Sequence, residues 1–148
     1  MKKGKGRSIT GITIIVFTIT LLLTSGCWGR KYFTAKFTTV KTMPEGKALV
    51  YIYRPKNFVG SAVHFSVHAN DKKVSDVHLY NGGYIVYFAD PGKYEFWAQV
   101  SNTRTEILVD IEAGKTYYIE GESVKLELVP KEVGEQRIKK CKLLRYTK

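Results

Sequence analysis

The sequence predicts an all-β protein, an antiparallel sandwich of seven or eight strands with a short C-terminal helix. Two observations carry this prediction. Apolar and polar residues alternate with a period of two through most of residues 46–130, which is typical of strands buried on one face. Turn signals rich in Gly, Asn, Asp and Pro recur roughly every 8 to 12 residues, as they do in sandwiches and barrels. The length of 148 residues suits one such domain.

Each strand is predicted from an apolar run between two turn signals. The first, Ala48–Tyr53, is apolar on both faces, which predicts a central strand buried on both sides, and Pro55 ends it. The other predicted strands are 63–67, 74–79, 84–89, 94–100, 107–111, 116–120 and 124–128. Residues 131–140 have the pattern of a two- to three-turn helix, which Gly134 is expected to weaken.

The N-terminus predicts export. Four basic residues and no acidic one precede an uncharged run over residues 9–24, which is shorter than the roughly 20 residues of a membrane-spanning helix. A positive segment, a short apolar segment and a small-residue end make a secretory signal, here residues 1–26. Residues 27–45 are then interpreted as a tether that includes a short edge strand, and 46–148 as the sandwich domain.

The end of the signal indicates a lipid anchor. The sequence Leu23-Thr24-Ser25-Gly26-Cys27 resembles the lipobox of bacterial lipoproteins, so cleavage is expected between Gly26 and Cys27, with lipid on the Cys27 thiol. The anchor attaches the domain to a membrane facing the periplasm, and Trp28 after the cysteine favours the outer membrane over the inner one. The alternatives are an ordinary signal peptide and an uncleaved anchor.

Part of the positive net charge of the chain belongs to the predicted signal. Removing residues 1–26 removes four basic residues and no acidic one, which lowers the net charge from +11 to +7. The remaining excess lies at the two ends, including six basic residues after Glu135. Such ends are either solvated faces or contacts with anionic lipids, envelope proteins or anionic envelope polymers. Nucleic acid is excluded as a partner, because an exported protein does not meet it.

Several short motifs resemble an uncharacterised family of bacterial lipoprotein domains. They are Tyr51-x-Tyr53-Arg54-Pro55 followed by the Gly60-Ser61 loop, the turn Pro91-Gly92-x-Tyr94, and the Ala113-to-Tyr118 turn. The resemblance covers about residues 36–144. It implies a sandwich similar to transthyretin-like, immunoglobulin-like or carboxypeptidase regulatory-like domains, and it implies no reaction.

The same motif residues also have a structural interpretation. Tyr51 and Tyr53 are expected on one face of their strand, and Gly92 and Gly114 are expected at turns with positive φ. Arg54 is expected where the strand leaves the sheet. There it pairs with Asp90 or Glu95, or alternatively binds a ligand.

No constellation in the chain predicts catalysis, a cofactor or a metal centre. His64 and His68 share a strand face about 13 Å apart, and a hairpin would bring His78 near His64, which gives at most a two-histidine pair. A catalytic zinc site needs three protein ligands. Cys141 is either a buried small hydrophobe or a reactive thiol, and if Cys27 is not lipidated, a disulfide between the two is a further alternative. The pairs Asp71/Asp76 and Glu120/Glu122 are of the kind that hairpins and strand ends carry routinely.

Three classes of function remain open. The sequence favours a non-enzymatic envelope lipoprotein that binds a partner or acts as an accessory subunit. The second class is a glycan- or peptide-binding module that uses exposed aromatic rings; its candidate residues are Tyr80, Tyr84, Tyr87 and Trp97. The third class, a small periplasmic enzyme, requires a pocket with convergent polar groups that the sequence does not indicate.

Overall fold

The computed structural model describes residues 33–123 and 125–145, and in them it confirms the all-β sandwich. The signal, Cys27 and residues up to 32 lie outside the described residues. The described strands are β1 (Phe33–Lys36), β2 (Ala48–Tyr53), β3 (Val67–Ala69), β4 (Lys72–Lys73), β5 (Gly83–Ala89), β6 (Gly92–Val100), β7 (Thr103–Ile111), β8 (Thr116–Glu122), β9 (Lys125–Val129) and β10 (Lys142–Leu144). One sheet has the order β1-β10-β5-β2-β8-β9, and the other β4-β3-β6-β7.

Strand β2 is the centre of the larger sheet, as its sequence predicts. All six of its residues are buried. Val50 and Ile52 face the core between the two sheets, whereas Tyr51 and Tyr53 face a second apolar cluster on the other side of the sheet. The strand therefore carries a core on each face, which explains why it has no polar alternation.

The strand pairing is mixed rather than wholly antiparallel. Most neighbours are antiparallel, but β2 and β8 are parallel, and so are β10 and β5. The described residues contain ten strands where seven or eight are expected: predicted strand 74–79 does not form, β4 and β10 are additional, and β1 is the short edge strand expected in the tether. The segment after Cys141 forms β10, which lies between β1 and β5, so β1 is the edge strand on that side of the sheet.

Two predicted strands, 63–67 and 74–79, form only a partial ladder. Their alternation is retained, since Phe65 and Leu79 are buried and face each other in an isolated antiparallel bridge. The Ser75 hydroxyl accepts a hydrogen bond from the backbone N–H of Val77 at 3.1 Å. This local turn occupies a donor that a continuous ladder would need, and the pairing is therefore confined to one bridge.

The predicted helix is present as α1 (Lys131–Ile138) and packs on β8. Gly134 makes this packing possible, because a Cβ atom at that position would lie 2.3 Å from Cγ of Tyr118. Gly134 lowers the intrinsic helix propensity, but it is required here because the helix backbone lies so close to the Tyr118 side chain. Within the part of the chain that the structure describes, no helix has the length and apolar character of a membrane span.

The predicted turns and the start of the domain are also visible. Gly92 and Gly114 have φ angles of 142° and 77°, which confirms the positive φ predicted for both. Residues 37–43 belong to the segment interpreted as a tether. In the structure they pack on the second cluster through Phe37, Val40 and Met43. The backbone N–H of Val40 donates to the Tyr51 hydroxyl at 2.9 Å. Ordered structure therefore begins before the turn at Gly46.

Candidate functional site

Arg54 is the centre of a buried polar arrangement at the end of β2. It follows β2 directly and is 2% exposed. Its guanidinium donates to the carbonyl oxygen of Gly60 at 2.7 Å and, through Nη1, to the carbonyl oxygen of Val63. It also lies over the Phe65 ring, 5.7 Å from the ring centroid. Burial lowers the pKa of Arg54, an effect that the nearby Glu122 opposes.

The expected pairing of Arg54 with Asp90 or Glu95 is wrong. Asp90 follows Ala89, which pairs with Ala48 at the opposite end of β2, and its carboxylate binds Lys47 at 2.6 Å. Glu95 belongs to the other sheet and pairs with Arg104. The charge of Arg54 is instead solvated by backbone carbonyl groups of the loop that follows Pro55.

Those contacts hold the segment 54–63, here called the Arg54 loop. A second clamp joins it to Asn81, whose side chain accepts from the Asn57 N–H at 2.8 Å and donates to the Asn57 carbonyl at 2.7 Å. Gly60, with φ of 70°, gives the loop its turn and presents a carbonyl to Arg54. The loop is thus held at its base and along its length.

The tip of the Arg54 loop presents two adjacent apolar side chains to solvent. Phe58 is 93% exposed and Val59 is 71% exposed. Isolated exposed apolar residues are common on proteins, but here two are adjacent on a loop that hydrogen bonds hold in place. The arrangement can act as a preformed contact, because little conformational freedom remains to be lost on binding.

Below the loop, a cavity of about 80 Å³ lies among Arg54, Lys56, Glu120 and Glu122. Both signs of charge line it, and its volume is far below the roughly 300–1,000 Å³ of a small-molecule site. Its dimensions fit a few waters rather than a substrate.

Glu120 forms the other polar centre, although in the sequence it is recognisable only as one member of the pair Glu120/Glu122. The Tyr53 hydroxyl donates to Glu120 Oε2 at 2.7 Å, and Arg137 Nη1 lies 2.9 Å from both carboxylate oxygens. Burial and the neighbouring Glu120 carboxylate raise the pKa of Tyr53. The network ties helix α1 to the central strands.

Cys141 is buried beside this network. It is 1% exposed, and its thiol lies 3.5 Å from the carbonyl oxygen of Arg54. Burial raises its pKa to about 12, so the thiol stays protonated at neutral pH. The alternative disulfide involves Cys27, which lies outside the described residues.

The three histidines divide as the hairpin argument predicts. The rings of His64 and His78 are 5.2 Å apart between centroids, whereas His68 of β3 stacks on Trp97 of β6, with centroids 3.9 Å apart. Across residues 33–123 and 125–145, no group of three or more His, Cys, Asp and Glu side chains is arranged to hold a metal ion.

The four aromatic rings considered for glycan binding do not share an exposed face. Tyr84 is buried in the second cluster, and Tyr87 packs against Phe96 of the core. Trp97 has His68 stacked on its ring, and the Arg104 guanidinium lies over the ring at 4.3 Å. The stacking surface of Trp97 is therefore already occupied within the chain.

A groove of about 550 Å³ lies at the outer edge of β5. Strand β10 pairs with β5 only at Gly83 and Tyr84, so the remainder of that edge faces the groove. Apolar residues of β5 and β10 form much of its lining, and Lys36, Asp76 and Arg145 add charge.

Fold and site together define a small β-sandwich protein with a clamped apolar loop and a buried polar network. The chain belongs to a protein family of unknown function, DUF2846, whose family model matches residues 44–133. This match spans the Arg54 loop, the Pro91-Gly92 turn and Gly114. Neither a curated protein nor a solved structure matches the chain.

Proposed function

We propose that this chain is an exported bacterial lipoprotein whose sandwich domain is a non-enzymatic binding or accessory module of the cell envelope. The anchor is supported by the basic start, the short apolar run and the residues that end at Cys27. Two or more acyl chains on one cysteine would hold a water-soluble domain at a bilayer, because one chain alone binds only marginally. Trp28 favours the outer membrane.

The length of the tether limits where the domain would lie. Phe33, the first residue of β1, is six residues beyond Cys27. An extended chain of that length spans about 20 Å. A lipid on Cys27 would therefore keep the β1 edge of the larger sheet close to the membrane surface.

The clamped Arg54 loop is the single observation that carries the proposed binding role. Its tip displays Phe58 and Val59, and its backbone is fixed by Arg54 and Asn81. Burying the Arg54 guanidinium costs desolvation free energy, and its hydrogen bonds fix the backbone of one exposed loop. This cost suggests that the function requires the conformation of the loop. We expect the tip to enter an apolar recess of a partner protein in the envelope.

Site-specific photocrosslinking in intact envelopes tests this role. A photoreactive phenylalanine analogue is placed at position 58, and at Leu108 as a matched control. Leu108 is also apolar and is 83% exposed, but it lies on β7 of the other sheet. We expect one discrete adduct from position 58 and none from position 108. Equal adducts at the two positions, or none at 58, would contradict the proposal.

A peptide-binding module is the second candidate, and the groove beside β5 favours it. The uncovered part of the β5 edge offers backbone groups for an added strand, and the groove walls offer apolar contacts such as Phe88. A photoreactive analogue at position 88 would then give the dominant adduct instead of position 58. The same experiment thus distinguishes the two candidates.

A further inference from the structure

His64 and His78 form a close, accessible pair on the surface of the sandwich. The antiparallel bridge between Phe65 and Leu79 brings their two segments together. The ring centroids are 5.2 Å apart and the ring planes are inclined at 84°. Both residues are exposed, so solvent reaches the pair.

Contacts on each ring hold it in place. The ring of His64 stacks on Tyr80, with centroids 4.9 Å apart, and its Nδ1 lies 3.4 Å from the carbonyl oxygen of Ala62. Nδ1 of His78 lies 3.4 Å from the hydroxyl oxygen of Ser66. A carbonyl oxygen only accepts, so the His64 contact places the proton on Nδ1 and leaves the Nε2 lone pair free.

The His64 contact is that of metal-binding imidazoles, whose second ring nitrogen usually donates to a carboxylate, a backbone carbonyl group or water, and the Ser66 hydroxyl is the polar partner of His78. The ring separation agrees as well. With a metal–nitrogen distance of about 2.1 Å, the ion lies about 3.2 Å from each ring centroid, and tetrahedral geometry then places the two centroids about 5.2 Å apart. The observed separation of His64 and His78 has this value.

We propose that His64 and His78 bind one divalent ion of the class Zn²⁺, Ni²⁺ or Cu²⁺ through their Nε2 atoms. Imidazole suits these ions. Water completes the coordination, because no third His, Cys, Asp or Glu joins the pair in a cluster within the described residues. The site is therefore one of binding rather than of metal-assisted hydrolysis, which uses three protein ligands.

Calorimetric titration of the full chain in detergent with Zn²⁺ alone tests the proposal. We expect one saturable ion per chain. His64→Gln and His78→Gln should each abolish this binding, and Ser66→Ala should weaken it by about tenfold through loss of the hydroxyl contact. His68→Gln is the matched control, because His68 stacks on Trp97 and should leave zinc binding unchanged.

Two further measurements complete the test. Circular dichroism should give the same spectrum for each variant, since His64 and His78 are exposed and carry no core packing. Nitrogen hyperfine splitting from two imidazoles should appear in the paramagnetic resonance spectrum of the Cu²⁺ complex. Saturable binding by the His64→Gln/His78→Gln double variant, or one ion shared by two chains, would overturn the proposal.

Discussion

The Tyr53 hydroxyl donates a hydrogen bond of 2.7 Å to Glu120, and the two residues are also register partners on the parallel strands β2 and β8. Both residues are buried, and Arg137 of α1 reaches the same carboxylate. A carboxylate in this position needs its donors, because an ionised group without partners is costly to bury. The contact therefore joins the central strand, its neighbour and the helix.

Tyr53→Phe should lower the free energy of unfolding by about 1–3 kcal/mol, the range for leaving a buried acceptor short of a donor. The measurement is urea-induced unfolding. Tyr117→Phe is the control, because its hydroxyl accepts from the Glu112 N–H at the surface. An equal loss in the two variants would mean that the Glu120 network contributes nothing beyond an ordinary exposed hydrogen bond.

Gly134→Ala should destabilise the protein, although alanine favours a helix by up to about 1 kcal/mol over glycine. The added methyl would overlap the Tyr118 ring. Overpacking of this kind costs about 1–3 kcal/mol, which outweighs the helix propensity. Thermal unfolding measures the effect, with Gln136→Ala on the exposed side of α1 as control, expected within about 0.5 kcal/mol of the wild type. A more stable Gly134→Ala protein would show that α1 does not pack as closely on β8 as described.

The sequence could predict the features that depend on local pattern. The apolar run Ala48–Tyr53 indicates a strand buried on both faces, and β2 is one. The alternation from Tyr94 to Val100 indicates a half-buried strand, and Phe96 is fully buried. The hairpin argument also brought His78 close to His64. In each case the signal lies within one strand or one hairpin.

The partners of Arg54 and Glu120 could not be predicted in the same way. Arg54 binds backbone carbonyl groups, which every residue carries, so no side chain marks them in the sequence. Glu120 meets Arg137 only because α1 crosses β8 at Gly134, and that crossing depends on packing. The expected pairing of Arg54 with Asp90 rested on opposite charge alone. In the register of β2 with β5, Arg54 follows one end of β2 and Asp90 lies beside the other end, so the two side chains cannot meet.

The protein should lose stability in alkali, because burial raises the pKa of Cys141 and of several tyrosines, Tyr118 among them. Burial raises the pKa of Cys141 from 9.0 to about 12, and that of Tyr118 from 10.0 to about 12. Below pH 9 both groups are protonated in the folded and unfolded states, so their contribution is fully present. As the pH rises from 9 towards 12 only the unfolded state releases these protons, and stability falls.

Each group lowers the free energy of unfolding by at most about 1.4 kcal/mol per pH unit. Urea-induced unfolding between pH 8 and pH 11 measures it, and Cys141→Ala should give a shallower fall than the wild type. Equal slopes for the two proteins would show that the Cys141 thiol titrates alike in the folded and unfolded states. Lys93→Ala, an exposed change, serves as the control.

The last prediction concerns Lys36 and Lys142, which lie directly opposite each other on β1 and β10 and are both exposed. Like charges in this position destabilise a sheet, so Lys142→Ala should raise or leave unchanged the free energy of unfolding in solution.

Under the proposed lipid anchor, the edge formed by β1 and β10 lies near anionic headgroups, where each Lys contributes about 1 kcal/mol to membrane binding. The same substitution should therefore weaken binding of the unacylated protein, expressed from residue 28 without its signal, to anionic vesicles by about fivefold at low salt. Vesicle flotation measures the binding, with neutral vesicles and the distant Lys93→Ala as controls. If Lys142→Ala leaves vesicle binding unchanged, or if salt does not reduce the binding, this edge of the sheet does not contact the membrane.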